Sequence, residues 1–200
     1  MQWMAELLSP LSPRPLGPVR YCLAAMLVGL QVGCVSLSGE DPTLRTPGGW
    51  IDDEVIERMA ARRIGAADER LAISHVNVVS YDGVVLLTGQ VEDPELRDLA
   101  EQSIRDIRKI RKIHNEIQIG GAISLVARGN DNWVQTKVKA QFLANEDVDA
   151  SRIKVFVEDG IVYLMGVVPR DEADAAVAVA RTVFGVQRVV KVFDYLENST

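Results

Sequence analysis

An internal repeat constrains this chain of 200 residues more than any other feature. WIDDEVIERM, starting at Trp50, stands against WVQTKVKAQF, starting at Trp133. HVNVVSYDGVVLLTGQV stands against RIKVFVEDGIVYLMGVV, and EDPELRDLAEQSIRDIRKIRKIHNEIQI against PRDEADAAVAVARTVFGVQRVVKVFDYL. Asp82-Gly83 and Asp159-Gly160 lie 77 positions apart, as do Gly89 and Gly166, whereas the two tryptophans lie 83 apart. That offset implies a length difference of about six residues between helix and hairpin. Self-similarity of this kind describes one supersecondary unit used twice, and about 70 residues is enough for each unit to hold a core.

Each repeat reads helix, strand, strand, helix, strand. In the second repeat Val134, Val138 and Phe142 recur every four residues and mark one apolar helix face. Their counterparts in the first repeat are read as Ile51, Val55 and Met59. Ile153, Val155 and Val157 alternate with Lys154, Phe156 and Glu158, the period of a half-buried strand. Each Asp-Gly pair supplies the two φ > 0 residues of a type I′ hairpin turn. Beyond the turns, Val85, Leu87 and Val91, or Val162, Leu164 and Val168, fall on the buried side, together with Gly89 and Gly166. A missing side chain there is expected to let a helix backbone approach the sheet. Asp93 and Glu95, or Asp171 and Glu172, open the second helix, where its dipole favours negative charge. The expected fold is therefore α+β: two tandem αββαβ domains, each a three-stranded mixed sheet with two helices on one face. The opposite sheet face is expected to stay open and polar, with Phe156, Tyr163 and Phe193 fitting that picture poorly.

Composition narrows the function. Apolar residues make up 48% and charged residues 25%, which excludes disordered and disulfide-scaffold classes. The net charge of −6, without a long Lys/Arg block, argues against nucleic acid as a partner. Two cysteines and two histidines do not make a structural zinc site within either repeat. His75 and His114 read as strand-edge residues, since no matching nucleophile and acid accompany them. No phosphate loop, nucleophile elbow or catalytic carboxylate pair can be assigned, so an enzyme is not expected, nor a cofactor.

The first 34 residues differ from the rest. Arg14 and Arg20 precede a run of mostly apolar, uncharged residues over 21–32, which Gly33 and Cys34 close. This is the pattern of a secretory signal. At about 1.5 Å per residue, such a run is too short for a bilayer core of about 30 Å. VGC at 32–34 resembles the lipobox of bacterial lipoproteins, which implies cleavage before Cys34 and its acylation. Gln31, standing where that pattern usually has Leu, is a departure, and an ordinary signal cut elsewhere is the alternative. Cys22 would leave with the signal, so no disulfide is expected in the mature chain.

The tandem αββαβ unit, its hairpin VxDGxVxLxGxV and the ending GVQRVVKVF resemble the BON domain. Preceded by the lipobox, the pair is similar to the dual-BON outer-membrane lipoproteins of Gram-negative bacteria. The resemblance implies the following division: signal peptide 1–33, flexible linker 34–49 beginning at lipidated Cys34, BON domain 50–119, linker 120–131 and BON domain 132–197. It further implies a non-catalytic protein on the periplasmic face of the outer membrane that binds anionic phospholipid and supports membrane integrity. Outer-membrane or division-site proteins are further implied partners. Val35 after the cysteine, rather than Asp, fits outer-membrane sorting of such lipoproteins. The alternative is a soluble periplasmic stress or scaffold protein that uses the same fold to bind a protein.

In that family the membrane contact lies on the first helix of the second domain, which gives Trp133, Val134, Lys137, Lys139 and Leu143 here. Helical geometry turns Trp133 about 140° from the core face, beside Lys137, with Lys139 and Leu143 flanking the same outward side. An amphipathic ring among lysines suits a lipid interface, but a Trp tucked under the linker would read the same. The corresponding first-repeat helix, read over 50–60, carries Asp52, Asp53, Glu54 and Glu57, which would repel anionic headgroups. Arg105, Arg108, Lys109, Arg111 and Lys112 form a basic cluster. It reads as a solvated helix end, or as a second contact with phospholipid or with an acidic helix.

Overall fold

A computed structural model describes residues 47–120 and 125–196. Cys34, the signal segment and most of the expected 34–49 linker lie outside the described residues. The described elements run α1 (Pro47–Ala67), α2 (Glu69–Ile73), β1 (His75–Tyr81), β2 (Val84–Val91), α3 (Pro94–Gln102), β3 (Lys112–Asn115) and β4 (Gln118–Ile119) in the first repeat. The second repeat runs α4 (Leu125–Leu143), β5 (Ile153–Glu158), β6 (Ile161–Val168), α5 (Arg170–Arg181) and β7 (Arg188–Tyr195). Both sheets are mixed. β1 pairs antiparallel with β2, and β3 and β4 run parallel to β2; β5 pairs antiparallel with β6, and β7 runs parallel to β6.

Local chemistry sets the element ends. Asp93 caps α3 by accepting from the Leu96 amide at 2.9 Å, with Pro94 at the first helical position. Asp68 does the same for the short α2, which the periodicity did not reveal, accepting from Arg70 N at 2.8 Å. The expected single last strand of the first repeat is split, because Ile117 turns into the core between β3 and β4. Both hairpin turns have positive φ at Asp and Gly: 49° and 74° at Asp82-Gly83, 50° and 70° at Asp159-Gly160. This is the backbone that a two-residue I′ turn requires.

Two helix-covered cores follow the expected plan, with one register correction. In the second repeat Val134, Val138 and Phe142 of α4 are buried with Val155, Val162, Leu164 and Ala180. In the first repeat the helix residues that do this are Ile56, Ala60 and Ile64. Ile51, Val55 and Met59, expected there, are instead 65%, 41% and 40% exposed. Trp50 and Trp133 are not equivalent stations: the buried triads lie 78 positions apart, within one residue of the 77 that separate the hairpins. Helix α4 also begins at Leu125, inside the segment read as the 120–131 linker.

Two further expectations change. The room at Gly89 serves the neighbouring strand, not a helix: a Cβ at φ 109° would lie 1.9 Å from the His75 carbonyl oxygen. The sheet faces turned away from the helices are not open and polar. Val79, Tyr81, Val84 and Leu86 of the first sheet pack on Ile161, Tyr163, Met165 and Val192 of the second, making a third core. Phe156 and Tyr163 belong to that shared core, while Phe193 lies with the helices of its own repeat.

The rim of the sheet–sheet contact is polar and well bonded. Tyr81 donates to the Arg152 carbonyl at 2.9 Å, and Asn77 to Glu158 at 3.0 Å. Lys154 reaches Glu57 at 2.8 Å and the Ser80 carbonyl at 3.0 Å, and Arg111 pairs with Asp194 at 3.0 Å. His75 approaches Glu158 at 3.2 Å, so this histidine joins the two repeats rather than marking a strand edge alone. Burial, with Lys112 adding to it, holds the His114 imidazole below its ordinary pKa against the opposing pull of Glu116 and Asp194. Burial likewise pushes the Tyr163 phenol up to about 12, with Glu116 acting in the same direction. The described residues form one body, and all three cores are built from them.

Candidate lipid-contact surface

The surface is framed by a buried carboxylate that sequence reasoning assigned to a linker. Asp131, in the first turns of α4, accepts from Asp159 N and Gly160 N, both at 2.8 Å. It thereby ties the helix to the tip of the β5–β6 hairpin. Asp53 of α1, read as a surface acid, is its twin. It is buried and accepts from Asp82 N at 2.8 Å, Gly83 N at 3.0 Å and Ser80 Oγ at 2.6 Å. An Asp 29 residues before the first Asp-Gly turn and 28 before the second was the available signal.

With α4 fixed in this way, Val134, Val138 and Phe142 point into the core and the opposite side faces outward. Trp133 is 47% exposed and Leu143 79% exposed. By helical geometry Trp133, Thr136, Ala140 and Leu143 form one outward stripe. Lys137 places its ammonium 5.4 Å from the centre of the Trp133 ring, within cation–π range. Trp133 is therefore neither a core residue nor hidden beneath a linker. Val134, grouped with it, is a correction: it is fully buried and offers nothing to a membrane.

Lys139 leaves the helix on its other flank. There it lines a cleft of about 610 Å³ together with Trp50, Glu54, Glu57 and Lys154. The expected set thus divides into Trp133 with Lys137, Leu143 further along the stripe, and Lys139 beside carboxylates of α1. The charge contrast drawn between the two opening helices also changes with the corrected register. Residues 55–65, the true counterparts of 133–143, contain Glu57, Arg58, Arg62 and Arg63, not four acids.

The basic cluster is largely paired. Arg105 reaches Glu101 at 2.7 Å, Lys109 reaches Asp52 at 2.6 Å, and Arg111 reaches Asp82 at 2.7 Å as well as Asp194. Arg105 follows the end of α3 by tight backbone turns, Ile104 N to the Glu101 carbonyl and Arg105 N to the Gln102 carbonyl, and the rest of the cluster lies in the turns beyond. Among the described residues no group of three or more His, Cys, Asp or Glu could hold a metal ion. No described helix is long and apolar enough to cross a membrane.

Comparison with known proteins bears on this geometry. The BON domain matches residues 52–121 and again 130–197. The outer membrane lipoprotein DolP of Haemophilus influenzae is 35% identical over 176 residues, 88% of this chain and 89% of that protein. A 21 kDa hemolysin of Actinobacillus pleuropneumoniae is 36% identical over 153 residues, 76% of this chain and 79% of its own length. The osmotically-inducible protein Y of Escherichia coli K12 is 24% identical over 152 residues, 74% of this chain and 75% of that protein.

Proposed function

The chain belongs to the BON-domain family, as a tandem protein of the DolP type, and from that premise we propose that it is a non-catalytic lipoprotein of the outer membrane. In this reading Cys34 carries the lipid, the body faces the periplasm, and the second repeat holds anionic phospholipid through Trp133, Lys137 and Leu143. Its role is then support of outer-membrane integrity. The observation that carries the proposal is the Trp133 ring, half-exposed on a rigid helix with Lys137 over it. Trp prefers the headgroup level of a bilayer, where its apolar body and N–H are both satisfied. Lys137 adds attraction to anionic headgroups.

Each lysine near an anionic surface contributes on the order of 1 kcal/mol, and partial Trp burial contributes a similar amount. For Lys137 and Trp133 that sum is about 2 kcal/mol, a contact in the range of tens of millimolar. A lipid on Cys34 would turn it into a stable orientation by raising the local concentration of the membrane, which is how two-signal anchoring works.

The test is flotation of the body 41–200 with vesicles. Binding to phosphatidylglycerol-containing vesicles but not to phosphatidylcholine vesicles, lost in Trp133→Glu with an unchanged melting curve, is the expected result. No flotation of the parent body, or full flotation of Trp133→Glu, overturns the reading. Metabolic labelling with a radioactive fatty acid, against a Cys34→Ser control, checks the anchor separately. An unlabelled chain would leave the soluble periplasmic alternative in place of the lipoprotein.

A further inference from the structure

Phe184 is 86% exposed on a turn whose other apolar residues are inside. The turn joins α5 to β7. Val183 and Val186, on either side of it, pack on the core of the second repeat. Backbone bonds fix the turn: Val183 N to the Ala180 carbonyl at 3.2 Å, Val186 N to the Val183 carbonyl at 3.2 Å, and Gln187 N to the Gly160 carbonyl at 2.9 Å. Gly185 takes φ 97°, and a Cβ there would stand 2.8 Å from Val134 Cγ2 and 4.0 Å from Trp133 Cζ3. The turn is therefore seated on α4 at the site of Trp133, and the residue just before that glycine is an aromatic ring held in water. Holding it there leaves most of a large apolar side chain in water.

The charge around it selects the occupant. Residues 132–145 and 175–193, which supply both sides of this corner, contain no acid. They carry Lys137, Arg181 and Arg188, besides Lys191, which is paired with Asp174 at 2.6 Å, and Lys139, which faces the cleft beside α1. Arg181 and Arg188 flank Phe184 in sequence and are both exposed. An aromatic pair flanked by basic side chains, with the nearby Asp131 carboxylate buried on the hairpin amides, complements an apolar layer lying beneath a layer of negative charge.

We propose that Phe184 is a second insertion residue, which enters the acyl region of an anionic phospholipid bilayer beside Trp133, so that the protein docks by the corner between α4 and the α5–β7 turn. This rests on the reading of the preceding subsection and adds depth and orientation to it. Trp133 and Lys137 hold the headgroup level, Phe184 passes below it, and Arg181 and Arg188 meet the phosphates around it. The apolar share of binding then resists salt, whereas the lysine share is screened.

The body 41–200 is cysteine-free, because the two cysteines of the chain are Cys22 and Cys34. Phe184→Cys can therefore carry a single environment-sensitive fluorophore. On phosphatidylglycerol-containing vesicles its emission should shift to the blue, and quenchers attached to the acyl chains should reach it better than headgroup quenchers. Phe184→Ser should bind roughly tenfold more weakly, by the loss of one buried aromatic side chain, and by the same factor at low and high salt. Its melting curve should not move, since the ring is exposed. If Phe184→Ser binds like the parent while Trp133→Glu fails, the inference falls and the proposed function stands. Quenching from headgroups alone also overturns it. A parent body that does not bind vesicles removes both, and a protein partner would then be the occupant to seek.

Discussion

Between the opening helix and the turn before the last strand, the first repeat places Val55, Met59, Ile107 and Arg108 around a groove of about 580 Å³. At the same stations the second repeat has Trp133, Lys137, Val183 and Phe184. The backbones agree in detail. Ile107 N bonds the Ile104 carbonyl as Val183 N bonds that of Ala180, and a positive φ follows at Lys109 (76°) and Gly185 (97°). The surfaces do not agree. In the first repeat two of the nearby cations are paired, Lys109 with Asp52 and Arg63 with Asp106. In the second the Asp131 carboxylate is buried on the hairpin amides, and the corner carries two exposed aromatic rings. One fold thus offers the same corner twice, and the side chains at four stations decide whether it is a groove beside ion pairs or an aromatic contact with a basic rim.

The comparison has its largest expected consequence where the repeats are alike. Asp53→Ala and Asp131→Ala each remove a buried carboxylate and leave the hairpin amides without their acceptor. Each should cost roughly 3 kcal/mol of stability, read from the denaturant midpoint. Asp53 accepts one bond more, from Ser80 Oγ, and should cost more than Asp131. A cost near zero in either would mean that its carboxylate does not hold the corner, and equal costs would mean that the Ser80 bond adds nothing.

A smaller effect should appear where the repeats differ. Val55→Glu, at the station of Trp133, should leave vesicle flotation unchanged, while Trp133→Glu should reduce it by tenfold or more, a loss on the order of 1.4 kcal/mol. If both variants lose binding equally, the contrast between corners is empty. The reverse exchange is a finer probe. Val55→Trp with Arg108→Phe, in the Trp133→Glu background, should restore only weak flotation, because Asp52 and Asp106 remain near the grafted rings. Full restoration would show that those acids do not matter.

The sequence makes the element order, the I′ turns and the helix-side cores legible, since each is written in a period or a dipeptide. It misplaces α1 because Trp50 and Trp133 look like one landmark, whereas the buried triad Ile56, Ala60 and Ile64 includes an alanine that carries little apolar signal. It also conceals the sheet–sheet core. On β6 every residue but Val167 is buried, so Tyr163 and Met165 lie in the same unbroken apolar run as Val162 and Leu164. A run without alternation says only that both faces are covered, not by what. At the candidate site, helical spacing locates Trp133, Lys137 and Leu143. It cannot locate Phe184, whose place beside Trp133 depends on how α5 returns the chain.

The least expected effect concerns the surface that the two repeats share, and it appears only in alkali. Tyr163 belongs to the sheet–sheet core, with its ring 6.4 Å from that of Phe156 and Glu116 of the first repeat opposing its ionisation. Its folded pKa, near 12, lies above the ordinary value of 10. The folded protein thus holds the phenol neutral where the unfolded chain would already ionise it. The stabilisation from that neutrality is complete below about pH 10 and is lost as the pH rises towards about 12, at no more than about 1.4 kcal/mol per pH unit. Tyr163→Phe cannot ionise, so its stability should fall less steeply than the parent's over this window, while the two curves run parallel at neutral pH. Hydrogen exchange at β2 and β6 would show whether the extra loss in the parent opens the contact between the sheets. Parallel curves through the whole alkaline range would mean that Tyr163 meets water, and that the shared core is looser than its packing indicates.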